Sequence, residues 1–85
     1  MDFTSNSTQN ITYTGQNKIA ISGDMGNGFF VVSAKKTGFD NIIVGTPNSN
    51  GFFEFDIAFF APEQLEVELK NAINPNVKIE FYKES

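Results

Sequence analysis

The sequence predicts an all-β domain, an antiparallel two-sheet sandwich of about seven strands, with a small open β-barrel as the alternative. Two features of the pattern lead there. Apolar and polar residues alternate with a period of two through most of the chain, and the interruptions are rich in Gly, Asn and Asp. A third feature makes a core feasible: although only 40% of residues are apolar, ten are Phe, each burying more area than an aliphatic side chain. With 85 residues and no Cys, the chain makes one domain stabilised by packing alone.

Residues 1–10 are polar apart from Phe3 and read as an N-terminal arm, with residues 11–85 as the single sandwich domain. Two Asn-x-Ser/Thr triplets, at Asn6 and Asn10, are what an Asn/Thr-rich stretch yields by chance. An extended arm of this kind is suited to adding to a free sheet edge on a neighbouring subunit. From Ile11 the alternation begins, with Ile11 and Tyr13 and then Ile19 and Ile21 on one face of two short strands.

Ser22 to Gly28 is a loop by its glycines, and Phe29 to Ala34 is a strand apolar on both faces, as a central strand is. After the Lys35 to Gly38 turn, Ile42 to Val44 forms a short strand that ends at the polar run Gly45 to Gly51. Phe53, Phe55, Ile57 and Phe59 then fall on one face of a long strand, with Glu54, Asp56 and Ala58 on the other. Val67, Leu69, Ile79 and Phe81 are expected to complete the core against them. For residues 62–72 a helix competes with a strand, since Pro62 suits a first helical turn. The spacing of Leu65, Val67 and Leu69 decides for a strand, because a helix would scatter them. Val77, Ile79 and Phe81 mark the last one.

From Lys18 to Asn71 the chain resembles bacterial immunoglobulin-like repeats: ISGDMGNGFFVVSAKK matches a glycine loop before an apolar strand, and NSNGFFEFDI a polar turn, glycine and outgoing strand. LEVELKNA resembles the strand that follows. The resemblance implies an immunoglobulin-like strand arrangement, and a carbohydrate- or surface-binding role as such repeats often have. The Trp and paired Cys of antibody-type domains are absent, which excludes that branch.

Composition narrows the chemistry. His and Cys are both absent, so Ser-His-Asp, Cys-His, His-zinc and thiolate-metal sites are excluded. Glu54 with Asp56 and Glu66 with Glu68 pair carboxylates on strand faces, but a glycosidase also needs an environment that raises one pKa and a cleft with aromatic platforms. They read as the wet face of a sheet. Asp24, Asn27, Asp40 and Asn41 could offer oxygens to calcium, yet they match no EF-hand spacing and are equally turn residues. The glycines of GDMGNG lack the Lys-Ser/Thr and the helix of a phosphate loop. No catalytic, cofactor or metal site is therefore assigned.

Six basic residues, all Lys, against ten acids give a net charge of −4, the reverse of what phosphate binding requires, so a nucleic-acid partner is not expected. No apolar stretch reaches the roughly 20 residues of a membrane span, and the N-terminus lacks the basic and apolar parts of a secretory signal. A soluble product made in the cytoplasm is expected, reaching a virion or an extracellular surface by assembly or lysis, unless Met1 opens a piece of a larger secreted protein. Adjacent rings at Phe29-Phe30, Phe52-Phe53 and Phe59-Phe60 place one of each pair away from the core, which nominates Phe29, Phe52 and Phe60 as interface residues, and Phe3 joins them as the anchor of the polar arm. Three function classes follow: a non-enzymatic assembly protein that self-associates or docks on a larger particle, such as a phage capsid-decoration or tail accessory; a carbohydrate- or surface-binding module; and an acidic protein inhibitor of a host factor.

Overall fold

The computed structural model describes residues 1–84, and in it the alternating segments become eight strands in two antiparallel sheets of four. These are β1 (Asp2–Phe3), β2 (Thr8–Thr12), β3 (Lys18–Asp24), β4 (Phe29–Lys35), β5 (Ile42–Gly45), β6 (Gly51–Glu54), β7 (Gln64–Lys70) and β8 (Asn76–Tyr82). One sheet has the order β1-β8-β3-β6 and the other β2-β7-β4-β5. The first strand thus pairs with the last, the second with the seventh, the third with the sixth and the fourth with the fifth. One long hairpin wound around itself produces that pattern, which is the topology of a jelly roll.

This order corrects the immunoglobulin-like arrangement implied by the resemblance, in which the sheets read A-B-E-D and C-F-G. Alternation and glycine loops are common to both sandwiches. Which strands become neighbours depends on how the sheets close over each other, and β4–β5 is here the one pairing of consecutive strands.

Phe3, Phe30, Val32, Val67, Leu69, Val77 and Ile79 fill the space between the sheets and are each at most 2% exposed. The rings of Phe3 and Phe30 meet edge to face at 5.2 Å. A second cluster of Ala34, Ile57 and Leu65 lies toward the opposite end, with Phe55, Phe60 and Phe81 packed partly against it. β4 has neighbours on both sides, as its two-faced apolar run predicts: Phe30, Val32 and Ala34 turn inward, while Phe29 and Val31 are half-buried on the outer face.

Two further expectations are corrected. Residues 1–10 are not an arm apart from the domain: β1 pairs with β8, β2 pairs with β7, and Phe3 is in the core. Polar composition concealed this, because β2 is an edge strand whose exposed Thr8, Asn10 and Thr12 need no apolar character. Asn6 ties the intervening loop down, donating to the Ala72 carbonyl at 3.0 Å and accepting from the Ala72 N–H at 2.9 Å.

The other concerns the long strand, which ends at Glu54. Phe53, Phe55 and Ile57 do face inward, with Ile57 buried, but the chain then enters a 3-10 turn at Ala58–Phe60 and Phe59 is 79% exposed. Ala61 closes the turn at φ 50°, and its N–H donates to the Ala58 carbonyl. This turn is part of the crossing from one sheet to the other.

Candidate functional site

The crossing turn and the β4–β5 loop meet at one end of the sandwich and build its most distinctive surface. Ile57 is buried and Phe60 is half-buried, so the turn is held at both ends while Phe59 between them projects outward. Phe39, 60% exposed in the β4–β5 loop, meets Phe60 edge to face at 5.9 Å. Lys36 Nζ stands 5.0 Å from the centre of the Phe39 ring and 5.8 Å from that of Phe60, and donates to the Phe60 carbonyl at 3.3 Å. The ammonium is attracted to both ring faces and ties one loop to the other.

Glu63 adds a second tie, its carboxylate accepting the Thr37 N–H at 2.7 Å. That bond favours the charged form and holds the Glu63 carboxyl below its ordinary range. A depression of about 390 Å³ lies beside this cluster, lined by Lys35, Lys36, Phe39, Asn41, Glu63 and Gln64. It joins one apolar ring to amide and charged groups.

The four nominated interface residues do not converge. Phe3 is 1% exposed and anchors the N-terminal strand inside its own domain, so it presents nothing to a partner. Phe29 lies half-buried on the outer face of β4, opposite Lys70. Phe52 is 80% exposed on the outer face of β6, and Phe60 belongs to the loop end just described. Sequence reading missed Phe39 and Phe59. A lone Phe inside the turn-type segment Thr37-Gly38-Phe39-Asp40-Asn41 was the available signal for the former, whereas Phe59 continued an alternation that the backbone abandons.

Three of the four paired acids have lysine neighbours: Glu66 lies 3.7 Å from Lys35, Glu68 3.9 Å from Lys70, and Glu54 is paired with Lys18, while Asp56 accepts the Ala58 N–H at 3.2 Å. The Glu54–Lys18 contact, a hydrogen bond first and charge attraction second, lowers the Glu54 carboxyl and raises the Lys18 ammonium. Asp24 accepts the Gly26 N–H at 2.8 Å, the turn role expected of such a residue. Asp40 and Asn41 lie past the other end of β4, a strand of seven residues. About 20 Å therefore separates them from Asp24 and Asn27. Among the described residues no group of three or more His, Cys, Asp or Glu converges on a point where a metal ion could sit. Nor is any helix among them long and apolar enough to cross a membrane.

A two-sheet jelly-roll sandwich with displayed aromatic rings is the class that fold and surface define. No family model, curated protein or solved structure matches the chain.

Proposed function

We propose that this chain is a non-enzymatic docking module that attaches to a protein partner in a larger assembly through the loop end bearing Phe39, Phe59, Phe60 and Lys36. The observation carrying this reading is Phe59, a ring 79% exposed on a turn whose flanks are packed. Fully burying such a ring is worth about 1.5–3 kcal/mol, and a rigid turn has little ordering entropy left to lose on binding. The net charge of −4 favours a partner surface that is basic around an apolar pocket. A phage capsid-decoration or tail accessory protein is the concrete form of this reading. Its support is an analogy of fold alone, since jelly rolls recur in viral capsid proteins and in lectins.

The test places a photo-crosslinking phenylalanine at position 59, with position 80 on the outer sheet face as control, in chains expressed in the native host. One adduct specific to position 59, abolished when Phe39 is also replaced by Ser, is expected. Equal labelling from both positions would overturn the reading.

A second reading, saccharide binding, is favoured by the depression beside Phe39, where a ring adjoins Asn41, Gln64 and Glu63. Binding to a glycan array that is lost in Phe39→Ala but kept in Phe59→Ser would establish it in place of the first.

A further inference from the structure

β6 is the outer strand of its sheet and pairs with β3 alone. The Phe55 N–H donates to the Asn17 carbonyl at 3.1 Å, in register with Lys18 opposite Glu54 and Ile19 opposite Phe53. Antiparallel bonding alternates, so the odd-numbered residues turn their backbone groups toward β3. The N–H and C=O of Phe52 and Glu54 consequently point away from the sheet. Neither Lys nor Pro, the usual protections of an exposed edge, occurs within Gly51–Glu54.

Side chains around this edge are complementary to themselves. Phe52 is 80% exposed on the outer face beside Ala20, whose short side chain leaves the ring uncovered. On the inner face Phe53 is half-buried next to Gly51, where an added Cβ would meet nothing within 4 Å. A depression of about 330 Å³, lined in part by Val44, Pro47, Phe53 and Phe55, opens there between β5 and β6. The other edges lack this combination: β1 is two residues long with Phe3 buried, β2 shows Thr8, Asn10 and Thr12 outward, and the β4–β5 pairing is broken by a register shift.

We propose that β6 pairs antiparallel with β6 of a second copy of this chain, about a two-fold axis at Phe52, each Phe53 ring covering the partner's Gly51. In this register the two Phe52 residues face each other and exchange both backbone hydrogen bonds, and Asn50 stands opposite the partner's Glu54. A ring over a glycine is an established cross-strand complement, and here it occurs twice by symmetry. No like charges meet across the joint, since Glu54 faces neutral Asn50 and already has Lys18 beside it. A slip of two residues would bring Phe55, beyond the end of β6, to the glycine instead. This surface is separate from the loop end that carries Phe59.

Sedimentation equilibrium of the full chain over a wide concentration range is expected to show a monomer–dimer equilibrium. Phe52→Lys, which sets two ammonium groups face to face at the axis, is expected to raise the dissociation constant at least about tenfold. Its melting temperature at concentrations where the wild type is monomeric should be unchanged. Because the chain has no Cys, register is read by mixing Asn50→Cys and Glu54→Cys variants under oxidation. Hydrogen-bonded antiparallel partners lie about 5.5 Å apart at Cα, within disulfide reach, so the mixture should cross-link and neither variant alone should. A chain monomeric throughout, a dimer indifferent to Phe52→Lys, or cross-linking of either variant alone would overturn the proposal. Phe59→Ser is expected to leave dimerisation intact, so failure at this edge and failure of docking at the loop end are told apart.

Discussion

Phe3 and Phe59 show at the residue scale how little a side chain's chemistry says about its place. Phe3 sits in a polar stretch and is 1% exposed, whereas Phe59 ends an apolar alternation and is 79% exposed. Phe3→Ala is expected to cost about 3–5 kcal/mol in urea unfolding, because the cavity opens against Phe30 in the centre of the core. Phe59→Ser should change stability by no more than about 0.5 kcal/mol, since its ring has few contacts to lose. The opposite ranking would refute the placement of both. Inward positions that continue into regular strands, such as Val67, Leu69 and Ile79, were legible in the sequence because each stands in an unbroken alternation. Phe59 was not, because a 3-10 turn shifts the phase of the side chains and leaves no mark in the hydropathy pattern.

Glu63 belongs to the same scale. Its carboxyl is held low by the Thr37 N–H, so the bond's contribution is present above the ordinary glutamate pKa of about 4.3 and is lost as pH falls through the lower, folded value. The Thr37 amide resonance is expected to titrate with a midpoint below 4.3, and Glu63→Gln should flatten the curve. A midpoint at or above the ordinary value would show that the bond does not persist in solution.

At the scale of elements, the chain's connections matter as much as its strands. Gly26 lies in the β3–β4 turn at φ 59°, and a Cβ there would come within 2.2 Å of the Ile73 carbonyl oxygen. Gly26→Ala should destabilise by about 1–3 kcal/mol from backbone strain alone, with more from displacing the β7–β8 turn; a melting temperature equal to wild type would contradict this packing. The two N-terminal strands offer a sharper test. Deleting residues 1–9 removes β1, the Asn6 tie and the start of β2, so the far-ultraviolet dichroism of a folded sheet should be lost. A truncated chain that kept a cooperative melt would return these residues to the status of a separable arm.

For the whole molecule, the asymmetry of the sandwich is the main consequence of the topology. On the side carrying β1 and β2 the Phe3 ring is 1% exposed, while the side carrying β5 and β6 leaves Val44, Phe53 and Phe55 half-buried around an open depression. Winding one hairpin into two sheets leaves β1 and β2 as the outer strands on one side and β5 and β6 on the other, each paired with a single neighbour. Assembly through the β6 edge and docking through the loop end would use different parts of one surface. Both could then operate in the same complex.

The fold class, the strand segments from Lys18 to Glu54 and again from Gln64 to Tyr82, and the lack of His and Cys chemistry are legible in the residues alone. Period-two alternation, turn residues and composition are local properties, and local properties survive in a one-dimensional record. Three features emerge with folding: residues 2–3 and 8–12 complete the two sheets, the strand order is a jelly roll, and Phe39, Phe59 and Phe60 share one end with Lys36. Each of these rests on partners far apart in the chain: β1 on β8, β2 on β7, the β4–β5 loop on the crossing turn. The edge strand β2 is polar and the displayed ring of Phe59 reads as core, because burial is a property of the neighbour that arrives and not of the residue that waits.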